Sequence, residues 1–352
     1  MKQLYKTLRM ENGELWNRIV YKPDKLEKDD SPASKKEKFS YCIKQKFISG
    51  GNYLPGMKLT NIDDSNFGFY ISRWKRFYDR YLSKELNIEK HLSPDIKKNY
   101  GEGKGNELSS GKFYSVASSS RFAVSCFSEM STTGKVELLK KIKINGKIED
   151  VNISLEEGLH IEGMPNNATT PQMDVEIKTN SNDTYFIEVK CQEILDNHKS
   201  IKLKAKYLNT ELFNMLLPQN KDISQENGKT VDYIGKNNQF LTATDFNCNL
   251  STTHFDFKQF LCHLMGILSY KKTKSSEKIH FYYLLYRNEE YLKLPNDSNK
   301  QLYVELEAEM SVIFERFGEL FKDIDFGYCY NNEFDTLKSL KKETQQAPAG
   351  NS

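Results

Sequence analysis

A chain of 352 residues, 38% of them apolar, can bury a substantial core without disulfides or structural metals to hold it together. A charged fraction of 28% with a net charge of only +3 excludes a disordered polyelectrolyte, and it leaves any binding to nucleic acid to the distribution of charge rather than its sum. Apolar runs such as residues 279–286 fall far short of the roughly 18 residues that a membrane span needs, so no membrane role is expected.

Residues 1–10 are charged and carry no apolar segment, which gives no sign of a secretory leader; a cytoplasmic protein is expected. The six cysteines (Cys42, Cys126, Cys191, Cys248, Cys262, Cys329) lack the close spacing of a zinc site or a disulfide framework and read as free thiols.

In chain order, residues 1–40 are polar, with Lys and Asp crowded into 22–38. The spacing over 70–82 predicts a helix with Trp74, Phe77, Tyr78 and Tyr81 on one side and Arg73, Arg76 and Arg80 on another. A Gly-rich, charged connector at 100–111 marks a boundary. A second helix is predicted over 119–130, with Phe122, Ala123, Cys126, Phe127 and Met130 inward and serines as its N-cap.

From 136 to 190 the pattern turns to strands, with 151–161, 173–178 and 184–191 the clearest and a loop at 165–171. An amphipathic helix follows at 256–270, with Phe257, Phe260, Leu261, Leu264 and Leu268 inward, then a buried strand at 279–286. The last helix, 301–321, aligns Leu302, Leu306, Met310, Ile313, Phe317 and Leu320 in one stripe. This order predicts an α/β fold, a central mixed sheet flanked by helices. The expected organisation is a mostly helical N-terminal extension over 1–99, a main domain over 100–335 and a disordered tail over 336–352.

The segment with chemical content is 171–193, PQMDVEIKTNSNDTYFIEVKCQE. Met173, Val175 and Ile177 alternate with Asp174, Glu176 and Lys178, and Tyr185, Ile187, Val189 and Cys191 alternate with Phe186, Glu188 and Lys190. A five-residue loop, 179–183, pairs Lys178 with Thr184, which sets Asp174 directly opposite Glu188 with Cβ atoms about 4.5 to 5.5 Å apart. Two carboxylates in that relation repel, and a divalent cation removes the conflict. Lys190, two residues beyond Glu188 on the same face, can reach a water or a phosphate, so the set meets the needs of phosphodiester hydrolysis. The bland reading is a solvent-facing hairpin of alternating charges.

This segment resembles the PD-(D/E)xK phosphodiesterase superfamily, in which an Asp on one strand and a Glu-x-Lys on the next bind metal and activate water. Asp174 matches the motif's Asp, Glu188 its acid and Lys190 its Lys; Val189 would lend its backbone carbonyl to the metal. Met173 stands where the motif has Pro. Upstream, GEGKGNELSSGKFYSVASSSRFAV is similar to bacterial restriction-type members, and there Glu107 matches an acid that assists metal binding. Gln259, on the helix after the third strand, matches a polar residue found near the site; His263 lies one turn further on the same face and reads as an ordinary satisfied or exposed histidine.

The resemblance covers about residues 100–290 and implies a restriction endonuclease-like core. It further implies a Mg²⁺-dependent endodeoxyribonuclease (Mn²⁺ substituting) acting on double-stranded DNA. A homodimer would supply the two sites needed to cut both strands, and a restriction-modification role fits the bacterial subgroup. Lys199, Lys202, Lys204 and Lys206 follow the hairpin and would neutralise phosphates there, or form an ordinary solvated face. One of Glu156, Glu157 and Glu162 would add a metal ligand. Two other readings stay open: a repair or recombination nuclease, and a catalytically idle DNA-binding protein of the same fold.

Overall fold

The computed structural model describes residues 119–127, 151–165, 170–199, 205–208, 210–217, 242–294 and 297–330, with residue 203 and scattered positions between 35 and 118. The helix expected at 70–82, the strand material of 136–150 and the tail 336–352 lie outside the described residues. By its internal contacts the chain divides into two compact units, Met1–Glu129 with Asn288–Lys300, and Met130–Arg287 with Gln301–Ser352.

The helices and strands run α1 (Ser119–Phe127), β1 (Val151–Gly158), β2 (Gln172–Thr179), β3 (Asp183–Lys190), α2 (Ala205–Leu208), α3 (Glu211–Leu216), α4 (Phe257–Thr273), β4 (Lys278–Leu285), α5 (Glu289–Leu292), α6 (Asp297–Leu320) and β5 (Ile324–Tyr330). In the first unit, α1 begins where its serines predict: Ser118 Oγ accepts the Arg121 amide at 3.2 Å. Asn288 caps α5 by accepting the Tyr291 amide and anchors it by donating to the Phe39 carbonyl.

The second unit holds one five-stranded sheet in the order β1-β2-β3-β4-β5. β1, β2 and β3 are antiparallel neighbours, whereas β3, β4 and β5 run parallel. The fold is therefore α/β, a mixed sheet flanked by helices. The β2–β3 hairpin has the predicted register, with Lys178 opposite Thr184 and Val175 opposite Ile187. Met173, Val175, Ile177, Tyr185, Ile187, Val189 and Cys191 are all buried, as alternation requires of one apolar face. At the start of the parallel strands, His280 of β4 sits 3.0 Å from both Asp183 of β3 and Asp325 of β5.

Three features differ from the sequence reading. β5 was not foreseen, because Asp325 and Gly327 interrupt its apolar pattern; Gly327 is where the Tyr282 ring lies so close that a Cβ would come within 2.1 Å of it. Leu320, assigned to the inward stripe of α6, is 40% exposed, while Leu302, Leu306, Met310, Ile313 and Phe317 are buried as expected.

The third difference matters most for the site. Between Phe260 and Ser269 helix α4 is buried on every face rather than on one stripe, since Cys262, His263, Met265, Gly266 and Ile267 are covered along with the predicted Phe and Leu positions, while Lys258 and Lys272 stay exposed. On the sheet side Phe260 stacks on Phe281 at 5.4 Å and meets Phe317 of α6 at 5.0 Å. Elsewhere the helix runs against the exit of β1: a Cβ on Gly266 would come within 2.5 Å of Leu159 Cβ, and Ser269 Oγ accepts the Glu162 amide. Gly266→Ala should consequently cost about 1–3 kcal/mol through overpacking, despite a gain in helix propensity of about 1 kcal/mol. A denaturant midpoint no lower than wild type would contradict that close packing.

Candidate active site

The charges of the hairpin do not face solvent. β3 is a central strand, and α4 lies over the face that carries Phe186, Glu188 and Lys190, leaving Glu188 1% and Lys190 8% exposed. The bland reading of a solvated hairpin therefore fails on burial. Lys190 Nζ donates to Glu188 Oε1 at 2.6 Å and to Gln259 Oε1 on α4. On the other side of the same carboxylate, His263 Nδ1 lies 3.0 Å from Glu188 Oε2. That approach is close enough for an ion pair but off the axis of a hydrogen bond, so neither atom has an aligned hydrogen-bond partner.

Asp174 enters from β2. The ladder between β2 and β3 ends at Val175 opposite Ile187, and beyond it the Val189 amide donates to Asp174 Oδ2 at 2.7 Å. The hairpin thus opens at the level of the motif. The backbone of Lys190 faces β4, where Tyr286 N donates to its carbonyl; by alternation the Val189 carbonyl points towards β2 and the opened edge.

Electrostatics separate the three motif residues. Burial would raise the Glu188 carboxyl, but Lys190 and His263 overcome that and hold it down to about 2. Burial raises Asp174 well above the ordinary carboxylate range, and the negative charges of Glu188 and Glu156 add to the rise against Lys190 and the Val189 amide. Burial would lower Lys190, yet Glu188, then Asp174, Glu193 and Asp256, raise it above the usual lysine value. Lys190 is thus shared between the two acids, and it offsets the rise of Asp174 only in part.

The chain matches no family model, and neither any curated protein nor any solved structure matches it.

Among the described residues no three His, Cys, Asp or Glu side chains form a group that could hold a metal ion. The resemblance asks for less: two carboxylates and one carbonyl, with water and phosphate completing the shell of a hard cation. The residues present fit that request in two respects. Glu188 Oε2 is a buried acceptor without an aligned donor, and Asp174 is a half-buried carboxyl whose charge Lys190 and the Val189 amide offset only in part.

Of the three accessory acids, Glu156 is the one whose charge acts on Asp174. It sits between Leu155 opposite Val175 and Glu157 opposite Met173, with a left-handed φ of 57° inside β1. Glu162 is instead paired with Lys272 at 2.6 Å. Glu107, Lys202 and Lys204 lie outside the described residues. Lys199 is exposed, and Lys206 lies over the Tyr207 ring at 4.7 Å.

Sequence spacing pointed to Gln259 and His263 sharing a helix face but took His263 for an ordinary satisfied or exposed histidine. It is 2% exposed and stands against the motif's acid. Asp256 caps the same helix, accepting the Gln259 amide at 3.0 Å. A small recess beside Lys190 is lined by Glu193, His198, His254, Asp256 and Tyr283. A larger open groove, lined by Met215, Leu268, Lys271, Lys272 and Lys322, includes none of the motif residues.

Proposed function

We propose that this chain is a divalent-metal-dependent nuclease with a restriction endonuclease-like core, cutting DNA with Asp174, Glu188 and Lys190. The observation that carries the reading is a buried Glu188–Lys190 pair at the end of a central strand, facing Asp174 across a hairpin that opens at that level. A buried ion pair is at best neutral for stability beside an apolar replacement of similar shape, so packing alone gives no reason for this one. Its placement beside a second acid whose charge is only partly offset is the arrangement that metal-assisted hydrolysis needs.

In this reading Asp174, Glu188 and the Val189 carbonyl hold Mg²⁺, with Mn²⁺ able to replace it. The ion supplies Lewis acidity to the scissile phosphate and lowers the pKa of its water. Gln259 holds the Lys190 ammonium in place. From there Lys190 orients the attacking water and balances the charge that builds on the phosphate. Glu156 lends a further negative charge near Asp174. Lys199, Lys202, Lys204 and Lys206 contribute to the phosphate track. Two copies of the chain in a homodimer would cut both strands of a duplex.

Supercoiled plasmid incubated with the protein and Mg²⁺ should be nicked or linearised. The same mixture with EDTA, or with the Lys190→Ala variant, should leave it intact. Wild-type protein that binds DNA and never cuts it, across duplex and branched substrates with Mg²⁺ and Mn²⁺, would sink the nuclease reading.

A further inference from the structure

Helix α4 grips both halves of the Glu-x-Lys motif. Gln259 takes Lys190, and one turn later His263 meets Glu188. The two oxygens of Glu188 are therefore opposed by two fixed groups, Lys190 at 2.6 Å on Oε1 and His263 at 3.0 Å on Oε2. His263 cannot swing away, because it is 2% exposed and its ring meets Phe281 edge-on at 6.3 Å. Resting on the nuclease reading above, we propose that His263 is a positioning residue: standing against Oε2, it fixes the rotation of the Glu188 carboxylate, one of the groups that would hold the divalent cation.

The geometry favours this role over simple core filling. An apolar side chain would pack against Phe281 without leaving a buried ring nitrogen lacking an aligned partner, a condition that is destabilising. Lys190 alone restrains one carboxylate oxygen and leaves the group free to turn about it. A second fixed group removes that freedom, and groups that orient a ligating carboxylate change metal affinity by about 10–100-fold when lost.

The test is metal binding without DNA, by calorimetric titration of the full chain with MgCl₂ or MnCl₂. His263→Leu should weaken the affinity by about 10–100-fold. His263→Asn, whose side-chain amide can stand where Nδ1 stands, should recover most of the loss. A Leu variant that folds, by far-UV circular dichroism, and binds the ions as tightly as wild type overturns the proposal, as does an Asn variant no better than Leu.

Should the Leu variant fail to fold, the wild type still decides. With ¹⁵N-labelled histidine, the His263 imidazole resonance should move as Mg²⁺ saturates the site, and a resonance unmoved at saturation overturns the proposal. Wild-type protein that binds neither ion removes the nuclease reading and this inference together. Tight binding by both wild type and His263→Leu removes only the inference.

Discussion

Asp174→Asn should abolish cleavage and, in the same protein, raise the stability of the metal-free form. On the proposed reading, loss of one of the two carboxylates that would hold the metal should lower the cleavage rate by about 10³-fold or more, since metal stabilisation of the transition state is worth several kcal/mol. The gain in stability follows from the raised Asp174 carboxyl, whose causes are burial first and then the charges of Glu188 and Glu156. Asparagine keeps an oxygen for the Val189 amide and drops the charge.

The pH dependence has a definite sign. A carboxyl raised by folding stabilises the native state at low pH, where it is protonated, and that contribution is lost as pH rises through the raised value. The advantage of Asn over Asp should therefore be small near pH 4 and grow towards pH 8. Thermal melts in EDTA across that range, compared with melts in Mg²⁺, are the measurement. At pH 8 in EDTA the variant should melt about 2–4 °C higher, and only the wild type should gain from Mg²⁺. An Asn variant less stable than wild type at pH 8 in EDTA would contradict a raised Asp174 carboxyl.

Glu188→Gln should have the opposite effect on stability and the same effect on activity. It leaves the Lys190 ammonium buried with only Gln259 and the neutral amide, and breaking a buried pair from one side costs about 3–5 kcal/mol. The carboxyl is held at about 2 rather than 4.5 by Lys190 and His263 against the effect of burial. For a lowered carboxyl the stabilisation is complete above its unfolded value and disappears as pH falls through its folded value. Wild type should thus lose its advantage over Glu188→Gln between about pH 5 and pH 2. Urea unfolding of both proteins in EDTA would measure it; a gap that stays constant across that range would show that Glu188 is not held low.

The hairpin was legible because two local rules fix it together. Turn length sets which residues face each other, and strict alternation sets which face each side chain takes, so the register over 175–187 follows from 171–193 alone. The burial of Glu188 and Lys190 was not legible, since it comes from α4, whose packing depends on Gly266 meeting Leu159 and Phe260 meeting Phe281. Counting Phe and Leu positions gave α4 one inward stripe. The remaining faces are covered by contacts from β1 and α3 that no local period encodes, such as Thr210 Oγ1 against the Met265 sulfur. For the same reason His263 looked ordinary. Choosing Glu156 among three acids needed the left-handed turn in β1, which its sequence does not announce.

The entrance to α4 has a consequence of its own. Glu309, a buried carboxylate on α6, accepts the consecutive backbone amides of Thr253, His254 and Phe255, the three residues before the helix cap at Asp256. A side chain outside the proposed site thereby anchors the base of the helix on which Gln259 and His263 are mounted. A change at this distant bracket would shift Gln259 and His263 against Glu188 and Lys190 while leaving all four residues in place.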